Sequence, residues 1–163
     1  MQAVRTREVS SKLSSLPVSI GLFGLVGFLL NFVWESWHAA YLYGFPVAGM
    51  VPNQFVRLIS RVSFVDAAIL TGIFCVGAVM WRSWQWYQHM SFRKYAYFII
   101  VAVIWAAVIE YKGVYLLHQW EYSQLMPRLF GFGLSPLVQL AGTGLASLRL
   151  LALASIQQSR KVV

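Results

Sequence analysis

Three carboxyl side chains stand inside apolar stretches of this chain: Glu35, Asp66 and Glu110. They are most of its acid, because only five Asp and Glu residues occur, the other two being Glu8 and Glu121. A carboxyl in an apolar setting can stay protonated near neutral pH. It can then act as a general acid towards an alkene, an epoxide or another weakly basic lipophile. An ionisable group at the middle of a membrane helix costs about 3 kcal/mol or more, and such groups face a bundle interior or a cavity. Internal cations to neutralise them are scarce. Lys112 follows Glu110 by two residues, about 200° around a helix, so the two cannot share a face. Arg57 or Arg61 is left to fold over the mouth of such a pocket.

Neighbouring residues extend the pattern. Gly24, Gly27, Asn31, Glu35 and His38 follow i, i+3, i+7, i+11, i+14 and fall on one helix face. Gln139, Thr143 and Ser147 make a second polar stripe, beside Gly142, Gly144 and Ala146. Small residues let helices approach closely, and polar ones line something wet or hydrogen-bonded. Trp34, Trp37, Trp105 and Trp120 lie at a depth similar to the acids. They can stabilise a developing carbocation through their ring faces, or form an aromatic belt at a membrane interface. The expected site therefore has Glu35, Asp66 and Glu110 as catalytic groups, with Asn31, Trp34, His38, Trp105, Trp120 and Gln139 binding substrate.

Other chemistries fit less well. Glu35-x-x-His38 is half of a carboxylate-bridged dimetal site. Its second copy is absent, and His118-Gln-Trp-Glu121 runs in the reverse order. His38, His118 and one carboxylate would be a marginal ligand set, so no metal and no cofactor is expected. No Gly-x-Ser-x-Gly elbow frames a serine. Gly131-Phe-Gly133 lacks the further glycine and lysine of a phosphate cradle. The one cysteine, Cys75, excludes a disulfide framework.

The elements that must position these groups follow from composition. The chain has 163 residues, 59% hydrophobic and 11% charged, with mean hydropathy +0.64. A soluble domain carries about 25% charged residues, so an ordinary soluble globule is excluded. Apolar runs over 16–37, 62–81, 95–117 and 132–156 are each long enough to cross a bilayer. An all-α, single-domain, four-transmembrane-helix bundle over 1–163 is predicted, with 1–15 as a cytoplasmic arm and a tighter inner than outer half. Breaks fall at Gly44-Phe45-Pro46, Val51-Pro52-Asn53, Met126-Pro127 and Gly131-Phe132-Gly133. The first run passes into Trp-Glu-Ser-Trp-His rather than a cleavage site, so it is read as a retained span.

Nine of the thirteen basic residues then share one side: Arg5, Arg7, Lys12, Arg82, Arg93, Lys94, Arg149, Arg160 and Lys161. The positive-inside rule places that side, with both termini, in the cytoplasm. The net charge of +8 is thus a topology signal, and no nucleic-acid partner is expected. Trp81, Trp84, Trp86, Tyr87, Tyr95 and Tyr97 are read as an interfacial belt on that side. The expected location is the bacterial inner membrane, in contact with the lipid bilayer.

Asn31-Phe-Val-Trp34-Glu35 resembles the Asn-x-x-Trp-Glu segment of the integral-membrane meroterpenoid cyclases. The resemblance implies that Glu35 takes part in protonation and that Asn31 and Trp34 accompany it. Those cyclases have more spans, and their second acidic residue has no counterpart here. The stretch Glu110…Trp120-Glu-Tyr122…Met126-Pro127…Gly133-Leu-Ser-Pro136…Gln139 is similar to small bacterial four-span membrane proteins and, distantly, to membrane carotenoid cyclases and hydratases. The four-span sterol isomerases share buried acids and tryptophans, but their His-x-x-x-Glu pattern is missing. Three functions remain open: a pocket that binds, and converts by acid catalysis, an isoprenoid-like lipophile; an accessory or assembly subunit of a larger membrane complex, or a homo-oligomer; and a small proton-coupled transporter with the three acids as relay groups.

Overall fold

A computed structural model describes the backbone of residues 2–45 and 49–160 and the side chains of 17–44 and 49–155. Arg5, Arg7, Lys12, Glu8, Arg160 and Lys161 lie outside the described side chains, and the break at Pro46 lies outside the described residues. Four helices dominate: α1 (Gln2–Leu42), α2 (Pro52–Met80), α3 (Phe92–Glu110) and α4 (Leu134–Arg160). Their segments Pro17–Leu42, Pro52–Met80, Phe92–Leu116 and Leu134–Ser155 are long and apolar enough to cross a membrane. Successive helices run antiparallel and pack in a ring, with α1 between α2 and α4 and α3 diagonally opposite.

Two boundaries differ from the sequence expectation. Helix α2 begins ten residues before the predicted span, because Pro52 sits in its first turn, where the missing N–H costs nothing and the fixed φ suits a helix. Asp66 is consequently near the middle of a 29-residue helix, rather than one turn into it, and Arg57 and Arg61 are helical. Helix α3 stops being regular at Glu110 and continues as a π-helical turn, Tyr111–Leu116. The Leu117 amide there donates to the Lys112 carbonyl at 2.9 Å.

One half of the bundle is sealed by aromatic packing. Phe23 stacks on Phe74 with centroids 4.8 Å apart. Trp86, only 1% exposed, lies against Phe74, Trp81 and Phe98. Its indole N–H donates to the Phe74 carbonyl at 3.1 Å. Gly77 makes room for this ring, since a Cβ there would sit 2.7 Å from Trp86 Cζ2. Trp86 and Tyr87 therefore belong to the core and not to an interfacial belt, whereas Trp84 and Tyr95 are exposed as expected. A short loop between α2 and α3 can place an aromatic under the helix ends, and hydropathy alone does not distinguish that from a belt.

The opposite end is closed by backbone pairing. Strand β1 (Tyr43–Phe45) pairs antiparallel with β2 (Glu121–Tyr122), and β3 (Arg128–Leu129) pairs with β4 (Phe132–Gly133). The Ser123 amide donates to the Leu42 carbonyl at 2.9 Å, fixing the segment after the π-helical turn onto the end of α1.

The glycine stripes divide between inside and outside. Gly27 faces Leu70 and Ser147, and a Cβ on Gly144 would lie 2.5 Å from Phe98 and 2.7 Å from Leu70. A Cβ on Gly142 would meet nothing within 4 Å. Gly144→Ala should therefore destabilise the bundle by about 1–3 kcal/mol through overpacking. Gly142→Ala should be neutral or stabilising by up to about 1 kcal/mol through helix propensity. Thermal unfolding in one detergent should place the two melting points on opposite sides of, or one of them level with, the parent.

Candidate functional site

Helix periodicity brings the acids together. On α3, Phe98, Ala102, Ala106 and Glu110 form one buried stripe spaced by four residues. On α1, Asn31, Glu35 and His38 are buried on one face. Asp66 on α2 and Gln139 and Thr143 on α4 complete the group, all at most 6% exposed.

Gln139 is the centre. Its amide nitrogen lies 2.7 Å from Glu35 Oε1, 3.1 Å from Asp66 Oδ2 and 3.1 Å from Asn31 Oδ1. That nitrogen has two hydrogens for three acceptors. The Thr143 hydroxyl, 3.1 Å from Asn31 Oδ1, supplies the remaining donor when it turns from its own helix carbonyl at Gln139. Asn31 Nδ2 is anchored on the Gly27 carbonyl at 2.8 Å. Three helices are thus joined through one amide.

Glu110 is held separately. Its two oxygens accept from the Tyr43 hydroxyl at 2.8 Å and the Tyr122 hydroxyl at 2.5 Å. Burial, and then the neighbouring Glu110 carboxyl, push the Tyr43 hydroxyl far above the ordinary tyrosine range. Burial and the hydrogen bond to Glu110 do the same for Tyr122. Both phenols remain donors across the usable pH range. The two rings stack, with centroids 5.8 Å apart, and Arg128 covers the Tyr122 ring at 5.3 Å.

A cavity of about 530 Å³ opens between these two clusters. Glu35, Asp66 and Glu110 all line it, and all four helices contribute to its wall. Most of the wall is apolar, through Ile59, Val62, Ile109 and Leu140, while exposed Arg61, His118 and Gln119 form the lip. Trp120 closes one side. Its indole lies where a Cβ on Gly113 would be, so the glycine in the π-helical turn is what lets the ring pack there.

The expected substrate-binding residues do not all reach this space. Trp120 lines it. Asn31 and Gln139 lie behind the carboxyls and position them. His38 is fully buried, stacks on Tyr43 at 4.6 Å, and has no hydrogen-bond partner on either ring nitrogen. Trp34, one residue from Glu35 and so about 100° away around the helix, is off the cavity, with its buried indole N–H unpartnered. Trp105 is 47% exposed on the outer face of α3, beside the buried Ala106. His38 Nδ1 stands 4.0 Å from Glu35 Oε2. Among the described residues no three His, Cys, Asp or Glu side chains converge as ligands for a metal.

Tyr43 and Tyr122 were not assigned to the site from sequence. The available signal was Glu110 itself, a carboxyl in an apolar helix with no donor on its own face. No sequence-family model matches the chain, and no curated protein or solved structure is significantly similar to it.

The amide at Gln139 generates a stability prediction. Gln139→Leu leaves Glu35 and Asp66 facing each other without a donor, and should cost about 3–5 kcal/mol, as for breaking a buried polar pair. Adding Asp66→Asn restores an amide donor between the helices. The double variant should then be more stable than Gln139→Leu alone, and unfolding of the parent, both single variants and the double variant in detergent measures this non-additivity.

Proposed function

We propose that this is a multi-pass protein of the bacterial cell membrane, with both termini cytoplasmic. Its intramembrane pocket would bind an isoprenoid-like lipophile and convert it by acid catalysis. One observation carries the reading: a single cavity of ligand size, lined by all four helices, exposes three carboxyls in an otherwise apolar wall. Pockets for small molecules are commonly about 300–1,000 Å³ and mostly apolar, with few polar groups. The charge asymmetry of the sequence orients the chain, which puts the cavity in the half facing away from the cytoplasm.

The roles follow from which oxygens are free. Both oxygens of Glu110 are taken by tyrosine hydroxyls. Among the described residues no hydrogen bond is donated to Glu35 Oε2 or Asp66 Oδ1, while their other oxygens are held by Gln139. Glu35, in its protonated form, delivers its proton to one carbon of a substrate double bond, leaving a carbocation on the other. Asp66 then removes a proton from an adjacent carbon, so that the double bond re-forms in a new position or after ring closure. The proton taken up by Asp66 then returns to Glu35, its neighbour on the same Gln139 amide, so that the product is an isomer of the substrate and no co-reactant is consumed. The Tyr43 and Trp120 rings and the Glu110 carboxylate stabilise the cation between these steps. The Asn31-x-x-Trp34-Glu35 resemblance to membrane meroterpenoid cyclases supports Glu35 as the acid.

Purified protein incubated with polyprenyl lipids or a membrane lipid extract should produce an isomeric product detectable by chromatography and mass spectrometry. Glu35→Gln should lower that conversion by about 10²-fold or more, the usual contribution of a positioned general acid. Conversion unaffected by Glu35→Gln would remove Glu35 from the chemistry. A second reading, as a subunit of a membrane complex, is favoured by Gly72 and Gly142, where a Cβ would meet nothing within 4 Å among the described residues, as suits small-residue contacts with another membrane helix. Partners that co-purify in mild detergent, and are lost in Gly142→Leu, would support it.

A further inference from the structure

The cavity is lined by more carboxyl groups than basic ones, and this bears on which lipophile suits it. Three carboxyls line it, against one cation, Arg61. Arg61 is exposed at the lip and makes no ion pair among the described residues. The protein's own donors are already committed. Gln139 has two amide hydrogens for Asn31, Glu35 and Asp66, and Thr143 has a single hydroxyl hydrogen. Tyr43 and Tyr122 both serve Glu110. Glu35 Oε2 has His38 Nδ1 as its nearest basic neighbour, at 4.0 Å, and among the described residues no hydrogen bond is donated to Asp66 Oδ1. With Glu35 in its acid form supplying one donor, what the cluster lacks is positive charge beside Asp66 and Glu110.

An alkylammonium ion brings that charge. Its N–H bonds a carboxylate with the added strength of a charge-assisted contact. The Tyr43 and Trp120 rings, which line the same cavity with centroids 6.2 Å apart and nearly perpendicular, offer faces to a cation. The apolar walls take the hydrocarbon. Resting on the pocket reading above, we infer that this cavity selects hydrophobic ammonium ions over neutral or anionic lipophiles of the same chain length. An anionic head has only Arg61 and His118 to meet at the lip, with the carboxyls repelling it from within.

Three probes matched in hydrocarbon length test this: protonated decyldimethylamine, decanol and decanoate. Each is titrated calorimetrically into the full chain in lipid nanodiscs, with empty discs subtracted. The ammonium should bind about tenfold or more tightly than decanol, as expected when a charge-assisted contact is added, and decanoate should bind most weakly. Asp66→Asn should lower the ratio of ammonium to decanol affinity. Arg61→Gln, at an exposed position where folding is not at stake, should raise it. Equal affinity for the three probes, or a ratio blind to both variants, overturns the inference while leaving a lipophile pocket in place. A preference for decanoate that disappears in Arg61→Gln also overturns it. Absence of saturable binding by any probe overturns both the inference and the pocket.

Discussion

The structure turns on one amide. Glu35 and Asp66 come from different helices, and each would be costly to bury unless another group supplied hydrogen bonds. Gln139 reaches both from a third helix, while also touching Asn31. The cost of leaving either carboxyl unmatched is what fixes the relative position of α1, α2 and α4. A purely apolar seam would tolerate sliding by a turn, because lipid-facing and helix-facing leucines differ little in energy. A three-helix hydrogen bond does not, since its donor and acceptors must stay within a few tenths of an ångström.

The two ends of the bundle serve this centre differently. At one end Trp86 fills the space above Gly77 and holds the helices with aromatic contacts and an indole hydrogen bond. Phe23, Phe74 and Phe98 are fully buried there. At the other end the helices spread around the cavity, and backbone pairing replaces side-chain packing. The β1–β2 pair and the π-helical turn bring Tyr122 and Trp120 back over α3. Widened turns of this kind recur at functional sites because they displace side chains without ending the helix. Here the displacement lets Trp120 occupy the side of Gly113 and sets Tyr122 beside Glu110.

Much of this arrangement was legible in the sequence, for a physical reason. Burying a carboxyl is expensive, so Glu35, Asp66 and Glu110 had to point inward, and helix periodicity then aligned Asn31 and Gln139 with them. The four long apolar helices follow from run length alone. What was not legible depended on the connections. Nothing in the spacing of Tyr43 and Tyr122 indicates that both hydroxyls converge on Glu110. Trp86 stands in a polar loop and Trp105 in an apolar run, yet the first is core and the second exposed. Depth was a poor guide for Asp66, because hydropathy marked where α2 becomes apolar and missed its start at Pro52. The group met correctly even so, since a long helix can project its first turns beyond the level of its partners.

The two acid clusters are built to different ends, and the contrast explains why they share a cavity. Each oxygen of Glu110 accepts from a phenol that stays protonated, which makes it a fixed acceptor held from two sides. Glu35 and Asp66 are each held by one oxygen only, which fixes their orientation and leaves the second oxygen available to an occupant. A site meant only for structural pairing would satisfy all six oxygens within the protein, since each unmade hydrogen bond in a dry interior is costly. Leaving two of them open toward an apolar cavity is tolerable when something else enters to complete them. In the proposed function, the same geometry that gives α1, α2 and α4 their register would also set where an occupant's proton or positive charge sits, between Glu35 and Asp66.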